Sequence, residues 1–268
     1  MDAPRLSIVI PAYNEIRRLG NTLTRCRAYA LTTGRRCEVV VVDDGSTDGT
    51  PDCVRTFTAA PLAIQLLTNE TNRGKGHAVR RGMLAARGPL RLMCDADLST
   101  PLEQLDRLAP WLERGYDVVI GSRDQPDSRL DPPQPRLRRW PARLFRAVRR
   151  RLLLPNLRDT QCGFKLFTAD AACAIFARAT VDGWLFDCEI LGIAERLGFR
   201  IREAGVVWQN HPDTRVHALR TALTAIPELV AIRRRVRRLA VPEPPWAVPP
   251  AAPAHISTGP ECRDSNGS

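Results

Sequence analysis

Short, continuously apolar runs alternate along the first half of the chain with longer stretches whose apolar positions recur every three to four residues. The short runs at 6–10, 38–42, 64–68, 90–94 and 117–120 predict strands. The periodic stretches at 19–33, 49–59, 76–86 and 101–114 predict helices. The strands are apolar throughout instead of at every second position, which is expected when helices cover both faces of a sheet. The alternation therefore predicts an α/β fold with a mostly parallel central sheet flanked by helices.

After Ser122 the pattern breaks. Pro126, Pro132, Pro133 and Pro135 predict no regular structure, and residues 136–151 then hold eight arginines and no acid. Short strands are expected at 164–167 and 201–207, with helices at 169–178, 186–197 and 216–239. Beyond Val241 the chain turns to Pro, Ala, Gly and Ser, so residues 241–268 are expected to be a disordered tail behind a single domain over 1–240.

Composition adds a charge argument. The 268 residues are 44% hydrophobic and 26% charged, an ordinary globular balance, but the net charge of +11 points to anionic partners. Eight cysteines are scattered without a C-x-x-C pair, several of them inside apolar runs, and read as buried reduced thiols instead of a disulfide framework or a zinc site. The N-terminus lacks the apolar core of a signal peptide, and no stretch approaches the roughly 18–20 apolar residues of a membrane span. A cytoplasmic protein, peripheral on the inner face of the cell membrane, is the expectation.

Three strand ends carry the candidate chemistry, and ligands of α/β folds bind at the carboxyl ends of parallel strands. Residues 7–10 run into Pro11, Ala12, Tyr13, Asn14 and Glu15, where Tyr13 and Glu15 would face a bound group; a plain strand stop before a helix is the competing reading. Residues 39–42 run into Asp43 and Asp44, whose carboxylates could accept hydrogen bonds from a nucleobase or a ribose, with Ser46 or Thr47 capping the next helix. The third end is Asp95, Ala96 and Asp97. Two carboxylates one residue apart can both reach a hard divalent cation that also holds diphosphate oxygens; the competing reading is a solvated loop with a helix cap at Ser99 or Thr100. Gly74, Lys75 and Gly76 form no phosphate loop, because Asn69 stands where the leading glycine belongs and Gly76 where Ser or Thr belongs. A dinucleotide fingerprint fails at Val79.

Taken in order, these motifs resemble the family 2 glycosyltransferases, whose single-domain, Rossmann-like nucleotide-sugar fold is called GT-A. The runs 72–80, 95–101, 121–123, 159–167 and 184–189 look like the dolichyl-phosphate β-glucosyltransferase branch. The resemblance covers about 6–210. It implies that Pro11, Ala12, Tyr13 and Glu15 surround the nucleoside together with Asp43 and Asp44. It further implies that Lys75, Asp95, Ala96, Asp97 and Arg123 meet the donor diphosphate, with Mg²⁺ or Mn²⁺ on Asp95 and Asp97. Gln161, Lys165 and Trp184 would line the acceptor phosphate. On residues alone, Arg123 reads as a surface arginine and Lys165 as a solvated strand residue. Asp187 takes the position of a catalytic carboxylate or, equally, of a helix start.

The implied reaction is one inverting displacement that moves glucose or mannose from a UDP- or GDP-sugar to a polyprenyl (dolichyl or undecaprenyl) phosphate. Because a phosphate monoester is largely ionised at pH 7, no strong base is required. A soluble or cell-envelope glycan acceptor is the alternative. Residues 136–154 and 216–239 read as basic amphipathic helices suited to an anionic membrane surface, in place of the transmembrane anchor of many relatives. A basic nucleic-acid-binding domain is a remote reading, since Trp140 and Phe145 are the only aromatics among the arginines of the first segment.

Overall fold

The computed structural model describes residues 3–58, 60, 62–131, 139–209 and 218–240. A seven-stranded sheet has the order β3-β2-β1-β4-β7-β5-β8. Its strands are β1 (Leu6–Ala12), β2 (Cys37–Asp43), β3 (Ala63–Thr68), β4 (Leu90–Met93), β5 (Val118–Ser122), β7 (Lys165–Thr168) and β8 (Ile201–Gly205). The mostly parallel sheet of the sequence reading is present, with β7 running antiparallel to both β4 and β5.

The continuous apolar runs have the anticipated cause. In β1, Ile8 and Ile10 face one core while Val9 faces the other, and in β2 Val39 and Val41 oppose Val40 and Val42. Helices α1 (Ile16–Thr33), α2 (Thr50–Thr56) and α4 (Leu105–Glu113) are well matched to their predicted positions, as are α3 (Lys75–Ala85), α6 (Ala169–Phe176) and α7 (Phe186–Arg196). The expected start of α4 at 101 is instead a separate 3₁₀ turn over Leu102–Gln104.

Two expectations change. The proline-rich stretch after Ser122 holds a strand, β6 (Arg129–Asp131), paired in parallel with β9 (Val207–Gln209). The strand expected over 201–207 is accordingly two strands in two sheets, because the chain leaves β8 at Gly205 to pair with β6. No sequence periodicity announces a three-residue strand whose partner lies nearly eighty positions away.

The basic helices α5 (Arg139–Leu152) and α8 (Ala218–Arg238) pack together. In α5, Val148 and Leu152 lie against the core, as does Leu153 just beyond it. This part of the basic segment is therefore packed on the domain, whereas the side chains of Leu137, Trp140, Leu144 and Phe145 fall outside those described, as do residues 241–268. Five of the cysteines expected to be buried are so; Cys53 is half-buried and Cys173 exposed, and Cys262 lies outside the described residues. No described helix is long and apolar enough to cross a membrane.

Candidate active site

The chain order makes β1 the switch point of the sheet. After β1 it builds β2 and β3 on one side, then crosses to place β4 on the other. Such a reversal opens a crevice beyond the carboxyl end of the strand. Register brings Ala12 beside Asp43 and Val9 beside Met93, so the polar turns after β1, β2 and β4 converge there. The antiparallel course of β7 adds a fourth contributor: Lys165 pairs with Met93 and Ile120, and residues 161–164 arrive at the same edge.

A cleft of about 1340 Å³ lies over this junction. Of the sequence-predicted residues, Pro11, Ala12, Tyr13, Glu15, Asp44, Lys75, Asp95, Ala96 and Asp97 line it. Tyr13 projects as an exposed ring. Asp43, Arg123, Gln161, Lys165, Trp184 and Asp187 do not line it. Two non-glycine residues with left-handed backbone border this region, Asn14 (φ 56°) and Leu98 (φ 46°). Such conformations persist only where the surroundings enforce them, and they cluster at ligand sites.

The two aspartates after β2 divide their work. Asp44 accepts from the Asn69 side chain at 2.6 Å and from the backbone N–H groups of Arg73 at 3.0 Å and Gly74 at 2.8 Å. It thereby fixes the loop that leads into α3 and Lys75. Asp43 is 1% exposed, and neither of its oxygens has a partner. A buried acceptor left unpaired is costly, so its persistence points to a ligand donor. The helix cap expected from Ser46 or Thr47 is absent: Ser46 Oγ accepts from Asn14 N, while Asp48 takes Thr50 N at the start of α2. Gly45 (φ 75°) permits the turn, since a Cβ there would lie 2.6 Å from the Thr71 backbone.

Asp95 and Asp97 border the same cleft. Lys75 Nζ donates to Asp95 Oδ1 at 2.6 Å. Burial would raise the Asp95 carboxyl, but Lys75, with Lys165 and Arg123 behind it, holds it below the usual carboxylate range. Burial likewise works against the Lys75 ammonium, and Asp95, Asp187 and Asp97 together raise it above its ordinary value. Asp97 Oδ1 accepts from Ser99 N at 2.9 Å, and its second oxygen has no hydrogen-bond partner among the described residues. The helix cap proposed for Ser99 or Thr100 is not formed, because the following 3₁₀ turn begins after Pro101 without a side-chain cap. The two hard oxygen donors suit a divalent cation. No described cluster of three His, Cys, Asp or Glu exists, so the rest of its shell would be phosphate oxygen and water.

Beneath this surface lies a second ion pair. Lys165 is fully buried and donates to Asp187 Oδ1 and to Cys162 O, the latter at 2.5 Å. Lys165 is therefore neither the solvated strand residue of the plain reading nor placed to touch a phosphate in the cleft. Asp187 stands in the first turn of α7 but turns its carboxylate to Lys165 instead of capping the helix. Burial pushes the Asp187 carboxyl up despite Lys165 and Lys75. Gln161 donates to Cys188 Sγ at 3.6 Å and buries its Oε1 without a partner. Trp184 is half-buried against the core.

Several contributors were given no role by the sequence, although Asp159 and Gly163 fall within the run 159–167. Asp159 binds the Arg123 guanidinium through both oxygens, at 2.7 and 2.9 Å, and accepts from Arg123 N at 3.0 Å. Arg123 also lies over the Trp208 ring, with its guanidinium carbon 5.6 Å from the centroid. It is thus a fixed cation, not a mobile surface arginine. Gly163 packs directly on the Asp95 carboxylate, and a Cβ there would overlap Asp95 Oδ2. Arg149 is wholly buried: Nη2 donates to Leu157 O and Arg158 O, while Nε and Nη1 have no partner. It is one of eight arginines in residues 136–151, and nothing in the sequence singles it out.

This architecture is the GT-A fold of the glycosyltransferases. The chain belongs to glycosyl transferase family 2, whose family model matches residues 7–176. It is 33% identical over 242 residues to the dolichyl-phosphate beta-glucosyltransferase of Dictyostelium discoideum, spanning 86% of this chain and 74% of that protein. The enzyme of the same name from Drosophila melanogaster is 37% identical over 224 residues, spanning 77% and 68%. Glycosyltransferase AglD of Haloferax volcanii is 36% identical over 221 residues, which are 81% of this chain but only 35% of that protein. Among solved structures, mannosyl-3-phosphoglycerate synthase from Rubrobacter xylanophilus superposes with a TM-score of 0.66 at 22% identity, over 91% of this chain and 78% of that one. Glucosyl-3-phosphoglycerate synthase from Mycobacterium tuberculosis, in complex with Mn²⁺, UDP and glucosyl-3-phosphoglycerate, gives 0.63 at 18% identity, over 90% and 81%. At these identities the two structures speak for the fold alone.

Proposed function

We propose that this glycosyltransferase moves glucose or mannose, with inversion, from a UDP- or GDP-sugar to a polyprenyl phosphate such as dolichyl or undecaprenyl phosphate. The observation that carries the donor half is the convergence of Asp95, Asp97 and Lys75 on one cleft beside Pro11–Glu15. A nucleoside enters past Tyr13, with the Asp43 carboxylate just beneath the cleft surface as the acceptor its N–H donors would reach once the turn after β2 yields, and the diphosphate comes to rest over Asp95 and Asp97. Mg²⁺ or Mn²⁺, held by those two carboxylates, would supply charge neutralisation to the departing diphosphate. Lys75 holds Asp95 ionised and presents a second positive charge to the same oxygens.

The acceptor half rests on the named relatives and on the cationic wall made by Arg123. An acceptor phosphate is already an anion at neutral pH, so the site needs a positioned cation more than a base. Asp159 holds Arg123 in one orientation, and Gln161 leads toward the same edge. Lys165 and Asp187 act from below, as a buried pair that sets the field around Lys75 and Asp95, with Trp184 packed in the turn before α7. The exposed arginines of α5 and α8 would hold the protein against an anionic membrane surface, where such an acceptor resides.

The test is a transfer screen of UDP-glucose against GDP-mannose with undecaprenyl phosphate, with and without Mn²⁺, on the intact chain and Asp97→Asn. Transfer from one donor, lost in Asp97→Asn and in excess chelator with the melting curve unchanged, is expected. Full activity in that variant or in chelator removes the metal reading. Donor hydrolysis without transfer to any polyprenyl phosphate removes the acceptor reading.

A further inference from the structure

A pocket of about 460 Å³ opens where α5, α7 and α8 meet, and it shares no lining residue with the donor cleft. Its floor is aliphatic. Leu152, Leu153 and Val236 line it, and Gly192 keeps it open by leaving the gap between Leu153 and Val236 unfilled. Its rim is cationic: Arg151 comes from α5, Arg196 from α7, and Arg233 and Arg237 from α8, against a single acid, Glu195. Among the described residues, Arg151, Arg233 and Arg237 have no carboxylate partner, although the domain pairs many of its other arginines. Arg196 commits only Nε, to Leu239 O. Three elements distant in sequence thus bring four guanidinium groups around an apolar hollow. Like charges gathered in this way repel one another in the absence of an anion.

We propose that this pocket is a discrete binding site for the phosphate headgroup of an anionic membrane lipid, distinct from the acceptor of the reaction. Guanidinium groups bind phosphate oxygens in pairs. The aliphatic floor beside them accommodates the glycerol and upper acyl carbons, which a free phosphate would leave uncovered. A nucleic acid would call for an aromatic surface to stack a base, and the pocket offers none. The proposal rests on the membrane reading above and sharpens it, because it assigns the contact to particular arginines instead of to the summed charge of two helices.

Geometry supplies an internal control. Arg233 and Arg237 line the pocket, while Arg234 and Arg238 stand on the same helix, exposed and outside it. Co-sedimentation of the full chain with phosphatidylcholine vesicles, with and without phosphatidylglycerol, is compared for wild type, Arg233→Gln/Arg237→Gln and Arg234→Gln/Arg238→Gln. Weakening of about thirtyfold or more is expected for the pocket pair, at about fivefold for each basic residue held at the surface, and severalfold less for the control pair. Arg233→Lys/Arg237→Lys, which keeps the charge but not the fork, is expected to lose severalfold, and it carries the test should the Gln pair fail to fold. Equal losses in the two Gln pairs overturn the pocket while leaving the membrane reading intact; a wild type that ignores anionic vesicles overturns both. Inorganic phosphate that displaces the protein from vesicles at low millimolar concentration, through Arg233 and Arg237 alone, shows a free-phosphate site and overturns the lipid. Pocket variants that lose single-stranded oligonucleotide binding while keeping vesicle binding do so as well.

Discussion

Asp43 and Asp44 share a peptide bond and have opposite surroundings: Asp44 accepts three hydrogen bonds from the loop before α3, and Asp43, equally buried, accepts none. The second carboxylate is part of the scaffold, and the first is buried with both oxygens unpartnered.

Substitution separates the two. Asp43→Asn breaks no hydrogen bond of the fold, so the melting temperature is expected to hold while the nucleotide dissociation constant rises about ten- to hundredfold. Asp44→Ala strands three donors and is expected to cost about 1–3 kcal/mol of stability by urea unfolding. A fall in stability with unchanged nucleotide affinity in Asp43→Asn would contradict the assignment.

Gly163→Ala tests the contact on Asp95. The added methyl must push the carboxylate off its seat, and with it the ion pair to Lys75. Displacement of a charged group at a diphosphate site by about an ångström is expected to lower kcat about a hundredfold, with the fold retained. Normal turnover would mean that the Asp95 position is immaterial.

The Lys165 and Asp187 pair calls for a double-mutant comparison. Lys165→Met leaves the Asp187 carboxylate buried alone and is expected to cost about 3–5 kcal/mol. Lys165→Met/Asp187→Leu is expected to recover most of that stability without recovering transfer, because the field around Lys75 has gone. If the double variant transfers sugar at the wild-type rate, the pair serves packing alone.

Acid should act through Asp159. Its burial would raise the carboxyl, but Arg123 and the backbone N–H groups of Arg123 and Gln161 hold it well below the ordinary range. A depressed folded value stabilises the protein at pH above the unfolded value, near 4, and that contribution disappears as pH falls toward the folded value. The melting temperature of the wild type is therefore expected to drop below about pH 4, and Asp159→Asn to start lower at neutral pH with a shallower acid limb. Superimposable acid limbs would exclude the pair.

Much of this molecule was legible as sequence. Continuous apolar runs such as Val39–Val42 state that both sheet faces are covered, since a strand with one wet face would alternate. Polar residues placed after those runs name the cleft, and nine of the predicted donor residues line it. Local order in the chain is enough for this, because strand ends and the turns that follow them are contiguous. Which carboxylate is saturated, which lysine is sealed beneath the surface and which arginine is clamped depended on partners 22 to 36 residues away. The antiparallel entry of β7, the pairing of β6 with β9 and the arginine-rimmed pocket between α5, α7 and α8 were likewise settled by packing. Hydrophobic periodicity records which side of an element is buried; it carries nothing about what that side is buried against, and only the tertiary structure decided that.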